Sequence, residues 1–235
     1  VQPAALALPR SYSFARAPLK SEQRGRLTFF IRHVPGGEFT DWLFSADRRG
    51  TELELSGPYG QFYLRPGAGR LICVAGGSGL APIHALLEDA AERGLERDCL
   101  LCFGARAQAD LYYQDELAAL ARRWVGAFDI VPVLSSEPDD SGWTGARGLV
   151  TDELTRRLAA GCSRGDQAYL CGPPAMIDAG LAALERTGLV SAAHAGGTRV
   201  IVAATLFSPA ALGTLLADPG RRAAAIAHLT AAVSA

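Results

Sequence analysis

Residues 71–82 of this 235-residue chain read LICVAGGSGLAP, and they carry the strongest signal of the fold class. The first five residues form a continuous apolar run, which is typical of a strand buried on both faces. Four residues of a glycine-rich turn follow, and Pro82 suits the first turn of a helix. A helix start offers unpaired N–H groups and the positive end of a dipole, so a dinucleotide pyrophosphate could bind here. Any tight strand-to-helix turn could also use such glycines, so this stretch alone leaves both interpretations open.

The alternation of strand and helix continues downstream of this turn. The predicted elements are helices over 82–93, 115–124, 151–160 and 175–187, and strands over 71–75, 99–103, 128–133, 168–171 and 199–203. Buried strands that alternate with helices predict a parallel sheet with helices on both faces. We therefore expect an α/β nucleotide-binding domain over residues 67–207. The alanine-rich residues 208–235 form a separate tail, for which two short helices are predicted.

The pattern upstream of residue 67 is different. Short β-type runs alternate there with glycine and proline turns, and residues 39–46 could form one or two helical turns. The predicted runs cover 11–15, 27–34, 52–56 and 61–65. This pattern predicts part of a small antiparallel β-barrel or sandwich over residues 1–66.

Two motifs of this upstream region could hold a flat, anionic ligand. In RSYSF, residues 10–14, Arg10 can bind a phosphate and Tyr12 can stack on a ring, although this motif taken alone is better explained by an edge strand with a solvated Arg10 and a half-buried Tyr12. In VPGGEFTDWL, residues 34–43, the amides after Gly36-Gly37 form an anion nest to which Thr40 adds a hydroxyl. The alternative is a short helix capped by Thr40 or Asp41, with its apolar residues in the core.

The motif YLCGPPAM, residues 169–176, lies at the carboxyl end of the predicted fourth strand. Ligands bind at this edge of open α/β sheets. Gly172-Pro173-Pro174 imposes a rigid turn there, which should leave Cys171 facing a crevice shared with the glycine turn. A plain strand-to-helix turn with a buried cysteine is the alternative.

Composition excludes several function classes. The 23 basic and 24 acidic residues give a net charge of −1, so no basic surface for nucleic acid is expected. No apolar stretch approaches the roughly 20 residues of a membrane span, and the first residues lack the pattern of a secretory signal. The odd number of cysteines argues against a disulfide framework and fits the reducing cytoplasm. Cys99 and Cys102 should lie on opposite faces of one strand, as buried small side chains rather than a metal or redox pair.

The chain resembles the flavin- and nicotinamide-binding module of the ferredoxin–NADP reductase-like flavoproteins. The closest resemblance is to NADH-dependent reductase components of bacterial multicomponent oxygenases. It covers about residues 8–176 and continues less clearly to 207. It rests on the ordered set RSYSF, VPGGEFTDWL, GPYGQF, AGGSGLAP, FGAR, DLYYQDEL, a Trp143-Thr144-Gly145 turn and YLCGPPAMI.

This resemblance implies roles for individual residues. Ser13 would lie near flavin N5, and Cys171 would position the nicotinamide without acting as a covalent nucleophile. These two are the implied catalytic positions. The residues implied to bind FAD are Arg10, Ser11, Tyr12, Ser13, Gly36, Gly37, Phe39 and Thr40. Those implied to bind the nicotinamide cofactor are Gly76, Gly77, Ser78, Gly79, Pro82, Gly104, Arg106, Cys171, Gly172, Pro173, Pro174 and Met176.

The implied activity is hydride transfer from NADH to FAD, followed by single-electron delivery to a ferredoxin, an iron–sulfur centre or an oxygenase partner. NADH is favoured over NADPH because Asp110 would repel a 2′-phosphate. The chain is expected to begin inside the FAD-binding barrel, and a 2Fe–2S cluster would belong to a missing domain. No metal site is expected in this chain. The alternatives are a flavohaemoglobin- or cytochrome b5 reductase-type module, a non-catalytic flavin-binding electron relay and a fragment without cofactor.

Overall fold

The computed structural model describes residues 1–17, 26–163, 165–187, 189 and 199–204. The predicted tail over 208–235 lies outside the described residues. No helix of the described part is long and apolar enough to cross a bilayer. The same part holds no group of three or more histidine, cysteine or acidic side chains arranged to bind a metal ion.

A six-stranded parallel sheet forms the centre of the larger part. Its strands are β3 (Leu71–Gly76), β4 (Cys99–Ala105), β5 (Phe128–Leu134), β6 (Ala146–Arg147), β7 (Gln167–Gly172) and β8 (Arg199–Ala204), in the order β6-β5-β4-β3-β7-β8. The helices are α2 (Leu80–Glu92), α3 (Gln114–Arg122), α4 (Val150–Arg157) and α5 (Pro174–Arg186). The strand order reverses between β3 and β7, and the crevice at this point is where α/β sheets bind ligands.

Alternate residues of β3 face two separate hydrophobic clusters. One cluster joins Leu71 and Cys73 to Ile83 and Leu87 of α2, and also includes side chains of α3. The other joins Ile72 to side chains of α4 and α5. The sheet is therefore covered on both faces, as the continuous apolar runs predicted.

The downstream sequence predictions are confirmed. Each predicted strand and helix between residues 71 and 204 has ends within three residues of the observed ones. Cys99 and Cys102 are both buried and belong to different clusters, which confirms that they face opposite sides of the sheet. The short β6 was not predicted because two residues are too few to give a periodic pattern.

The upstream part has less regular structure than its sequence predicted. Here β1 (Gln2–Pro3) pairs antiparallel with β2 (Leu53–Glu54), and α1 spans Glu38–Phe44. The predicted runs over 11–15 and 27–34 form only the isolated bridge Phe14–Phe29, and the prediction of a strand over 61–65 is wrong. An extended run becomes a strand only where a neighbour pairs with its N–H and C=O groups, and the pattern alone could not supply that pairing.

Candidate functional site

The glycine turn joins β3 directly to α2. Gly77–Gly79 form a single 3₁₀ turn, and α2 starts at Leu80. Gly77 has φ +52°, a conformation that disfavours side chains, and the space where its Cβ would lie is open. Pro82 lies in the first turn of α2, where its missing N–H costs nothing. The turn thus combines a helix start with open space, which suits a phosphate group.

The glycine turn is in direct contact with the tip of β7. A Cβ on Gly79 would lie 2.5 Å from the Cys171 carbonyl carbon and 2.9 Å from the Gly172 nitrogen. A Cβ on Gly76 would lie 3.0 Å from Cδ of Pro173. The structure therefore brings together the glycine turn and the turn after β7, as the sequence predicted. The Cys171 side chain does not face an open crevice: it is 3% exposed and packs in the core cluster with Leu71 and Cys73, so the alternative of a buried cysteine describes it. Neither glycine can carry a side chain here, because atoms of the β7 tip and the turn after it occupy the space.

Two carboxylates lie in the loops that follow β4 and β5. Asp110 accepts the Ala107 N–H at 3.1 Å, and this bond caps the short turn that follows β4. Glu137, which follows β5, accepts the backbone N–H of Gln108 at 2.8 Å and its side-chain amide at 2.5 Å. These bonds from Gln108 hold the pKa of Glu137 below its usual range. Glu137 is a residue that the sequence analysis missed, because no local pattern relates it to the turn after β4.

The predicted FAD-contacting donors of the upstream part are directed at carboxylates. Arg10 makes a salt bridge to Glu38 at 3.3 Å, and the Gly36 N–H donates to Asp41 at 3.0 Å. Both carboxylates are about half exposed, so another anion can displace them. A guanidinium and a backbone amide that already bind anionic groups fit a pyrophosphate.

Thr40 is engaged within the protein. Its hydroxyl accepts the Val34 N–H at 3.1 Å and donates to the Val34 carbonyl oxygen at 2.9 Å. These bonds close the loop before α1. The sequence did not predict this structural role of Thr40. The N-cap of α1 is Gly37, so the alternative in which Thr40 or Asp41 caps the helix is wrong. Both residues lie inside the helix, because it starts earlier than its polar residues suggested.

Tyr12 of the RSYSF motif packs in a small hydrophobic cluster that is separate from the two clusters of the sheet. The Tyr12 ring lies 5.4 Å from that of Phe39 and 6.4 Å from that of Phe29, measured between ring centres. Burial raises the pKa of the Tyr12 hydroxyl. Ser11 is exposed and Ser13 is half-buried. The cluster fixes the Tyr12 ring, as a stacking surface for a flat ligand requires.

Two consecutive tyrosines join the upstream part to the glycine turn. The Phe30 ring centre lies 5.0 Å from that of Tyr112 and 4.8 Å from that of Tyr113. The Tyr112 hydroxyl donates to the Gly77 carbonyl oxygen at 3.0 Å. Burial, together with the nearby Cys171 thiol, raises the pKa of that hydroxyl. The sequence did not predict a role for Tyr112, because two aromatic residues before a helix indicate only packing.

Comparisons with known proteins cover both parts of the chain. Residues 3–63 match the family model "Oxidoreductase FAD-binding domain", and residues 73–180 match "Oxidoreductase NAD-binding domain". The chain is 48% identical over 180 residues to the xylene/toluene monooxygenase electron transfer component XylA of Pseudomonas putida, covering 77% of this chain and 50% of XylA. It is 40% identical to the phenol 2-monooxygenase reductase component DmpP of Pseudomonas sp. (strain CF600), over 76% of this chain and 51% of DmpP.

A solved structure is also similar. The Amycolatopsis cytochrome P450 reductase GcoB superimposes with a TM-score of 0.62 and 36% identity, over 75% of this chain and 52% of GcoB. The chain spans about half the length of the curated relatives it matches.

Proposed function

The chain belongs to the ferredoxin–NADP reductase-like family of FAD- and NAD-binding oxidoreductases, and from this premise we propose that it is the electron-transfer part of an oxygenase reductase. Hydride passes from NADH to FAD, and single electrons then pass to a ferredoxin, an iron–sulfur centre or an oxygenase. One observation carries this proposal. The glycine turn touches the tip of β7 on one side and, through Tyr112, the upstream part on the other.

Each part of the chain has a separate task in this proposal. Residues 1–66 form the FAD-binding half, and residues 67–207 form the NAD-binding half. Bound FAD supplies the redox chemistry, since it accepts two electrons together and releases them singly. Arg10 and the Gly36 amide would hold its pyrophosphate, and Tyr12 and Ser13 would lie beside its ring.

The second half orients the dinucleotide. The N–H groups at the start of α2 would hold its phosphates, and the Cys171–Gly172 backbone would limit how far the nicotinamide ring enters the site. Tyr112 covers the glycine turn from the flavin side and helps to exclude water. Hydride transfer itself needs no general acid or base, so Cys171 acts by its position.

The thiols support a reducing compartment. The described residues hold five cysteines, none of which forms a disulfide, and four of these cysteines are buried. Cysteines that form no disulfide are typical of the reducing cytoplasm, where we propose that the protein acts.

A titration of the purified chain with FAD and NADH tests the proposed activity. Without oxygen, NADH is expected to bleach the visible flavin band of the FAD-loaded chain, and a one-electron acceptor is expected to sustain steady NADH oxidation. A flavin band that NADH leaves unchanged would contradict the proposal. Bleaching without steady turnover would instead favour the non-catalytic electron relay.

We predict that the chain prefers NADH to NADPH. The 2′-phosphate of NADPH would enter the edge of the sheet where Asp110 and Glu137 place two carboxylates. Changing Glu137→Gln removes one charge and keeps an acceptor for Gln108. The ratio of kcat/KM for NADPH to that for NADH is expected to rise about five-fold in this variant, a modest effect because water screens the repulsion between exposed like charges.

The matched control is Asp152→Asn, which also neutralises an exposed carboxylate, in the first turn of α4. It should leave the ratio unchanged. An unchanged ratio in Glu137→Gln would mean that Glu137 lies away from the 2′ position.

A further inference from the structure

A three-residue segment of the upstream half is bound to α2 at its two ends. The Ala15 carbonyl oxygen lies 2.8 Å from Nδ1 of His84, and the Ala17 N–H donates to Glu88 at 2.9 Å. His84 and Glu88 are four residues apart on one helix, so they lie on the same face, one turn apart. They bind the backbone of the segment at both ends, and Glu88 also binds the Arg16 side chain between those ends. We call His84 and Glu88 the backbone clamp.

The Glu88 carboxylate is the centre of an ion-pair network. Its side chain is only 3% exposed, yet Nε of Arg16 donates to both of its oxygens, at 2.9 and 3.0 Å. Nη2 of Arg16 lies 2.7 Å from Oε1, and Nη2 of Arg123 lies 3.6 Å from the same oxygen. Burial opposes the charge, but the bonds from Arg16 and Ala17 outweigh it and hold the pKa of Glu88 below its usual range.

Tyr113 supports the same contact. Its ring meets His84 edge-on with ring centres 4.8 Å apart, and its hydroxyl lies 3.4 Å from Nη1 of Arg16. Burial lowers the pKa of His84, which therefore stays neutral near pH 7, with Nδ1–H as the donor to Ala15. The clamp is thus packed as well as hydrogen-bonded.

Buried ion pairs of this type contribute little net stability. The cost of removing both charges from water usually offsets their attraction, and an apolar pair of similar size would hold the two halves together as well. What an apolar pair cannot do is fix one backbone register, because it has no direction. A carbonyl and an amide bound two residues apart allow only one register.

The clamp lies close to both proposed cofactor sites. Ser13 is two residues before Ala15, about 7 Å along an extended chain. The glycine turn ends immediately before α2, and His84 follows the start of α2 by about 6 Å of helix. Any slip of the segment would therefore change the position of Tyr12 and Ser13 relative to the glycine turn.

We propose that Glu88 is a positioning residue for hydride transfer. Through its bonds to Arg16 and the Ala17 N–H, and together with the His84 bond to Ala15, it holds the RSYSF segment in register with the glycine turn. This inference rests on the proposed function, since it assigns the flavin ring to that segment and the nicotinamide to that turn. The clamp itself is a property of the polypeptide and can be measured without cofactor.

The first test uses hydrogen–deuterium exchange of the full chain without FAD. The variant Glu88→Gln keeps the size of the side chain and removes its charge. Exchange over residues 11–17 is expected to rise about ten-fold, while exchange within β3 and β4 stays unchanged. The matched control Asp89→Asn removes the more exposed carboxylate next to Glu88, which pairs with Arg93 on the same helix, and should not change exchange over 11–17. Unchanged exchange over 11–17 in Glu88→Gln would overturn the clamp.

The second test measures the FAD-loaded chain in single turnovers. At saturating NADH, the rate of flavin reduction in Glu88→Gln is expected to fall about ten-fold or more, since small misplacements of the reacting groups are costly. The NADH dissociation constant should change less than about two-fold, because the bonds of Glu88 go to the upstream segment and Arg123 rather than to the glycine turn. The positioning role would be overturned if Glu88→Gln showed faster exchange over residues 11–17 and yet reduced its flavin as fast as the Asp89→Asn control.

A milder variant covers the case in which Glu88→Gln does not fold. Arg16→Gln removes the ion pair with Glu88 by changing a side chain that is 30% exposed, and it leaves the Ala17 bond to Glu88 in place. Its exchange over 11–17 should lie between those of wild type and Glu88→Gln, and Arg16→Lys should restore part of the difference. If NADH did not reduce the FAD bound to the wild-type chain, the proposed function would be contradicted. The hydrogen–deuterium exchange measurement would still confirm or overturn the clamp, because it needs no cofactor.

Discussion

Replacing Gly79 with alanine is expected to reduce NADH-dependent flavin reduction by about 100-fold or more and to lower the free energy of unfolding by about 1–3 kcal/mol. The new Cβ would meet backbone atoms of Cys171 and Gly172 at under 3.0 Å. Backbone atoms in a strand cannot rotate away as a side chain can, so the tip of β7 and the glycine turn must separate. Anaerobic stopped-flow reduction and denaturant unfolding measure the two effects.

Gly94→Ala is the control for a general loss of stability. Gly94 follows α2 at its far end, with φ +63° and open space around its Cβ position. Its replacement should cost about 1 kcal/mol of backbone strain and leave the rate of flavin reduction unchanged. If Gly79→Ala retained the wild-type rate, the contact between the glycine turn and β7 would have no role in placing the nicotinamide.

Changing Arg10→Ala is expected to weaken FAD binding by about 100-fold. Arg10 is the cation of the proposed pyrophosphate site, and a charge-assisted contact of this kind contributes roughly 1.5–3 kcal/mol. The guanidinium makes a salt bridge to Glu38 and donates to the Pro9 carbonyl oxygen at 3.2 Å. Fluorescence titration with FAD measures the change, and salt should weaken wild-type binding more than binding to the variant.

The control for Arg10 is Arg49→Ala in the same half. Arg49 is 91% exposed and pairs with Asp47 two residues away. FAD affinity should not change in this variant. Equal affinities of wild type and Arg10→Ala would remove Arg10 from the pyrophosphate site and would leave the Gly36 amide as its main donor.

The sequence predicted the downstream half almost completely. Its strands are buried on both faces, so each of the longer ones appears as an apolar run such as LICVA at 71–75. Turn residues such as Gly76 and Gly172 then mark where a run ends and a helix follows. These signals are local, so they do not depend on the rest of the fold. The motif order was equally informative, because it assigned both halves to one family.

The upstream half was predicted less well for a physical reason. Its short runs become strands only by pairing with distant partners, and pairing leaves no local mark on the sequence. The run at 61–65 is apolar and alternating in part, yet the structure forms no strand there. The bonds of the Thr40 hydroxyl were not predicted either, since they reach back to Val34, six residues earlier.

Local patterns were enough to specify the sheet, its helices and the residue types at both proposed cofactor sites, because periodicity and turn chemistry act over a few residues. Which of these residues meet was visible only in the folded chain. The contact of Gly79 with Cys171 joins positions far apart in the sequence, and the bonds from Arg16 and Ala17 to Glu88 span 72 and 71 residues. Such contacts depend on the path of the whole chain through the fold, and the packing of the core determines that path rather than any one stretch of sequence.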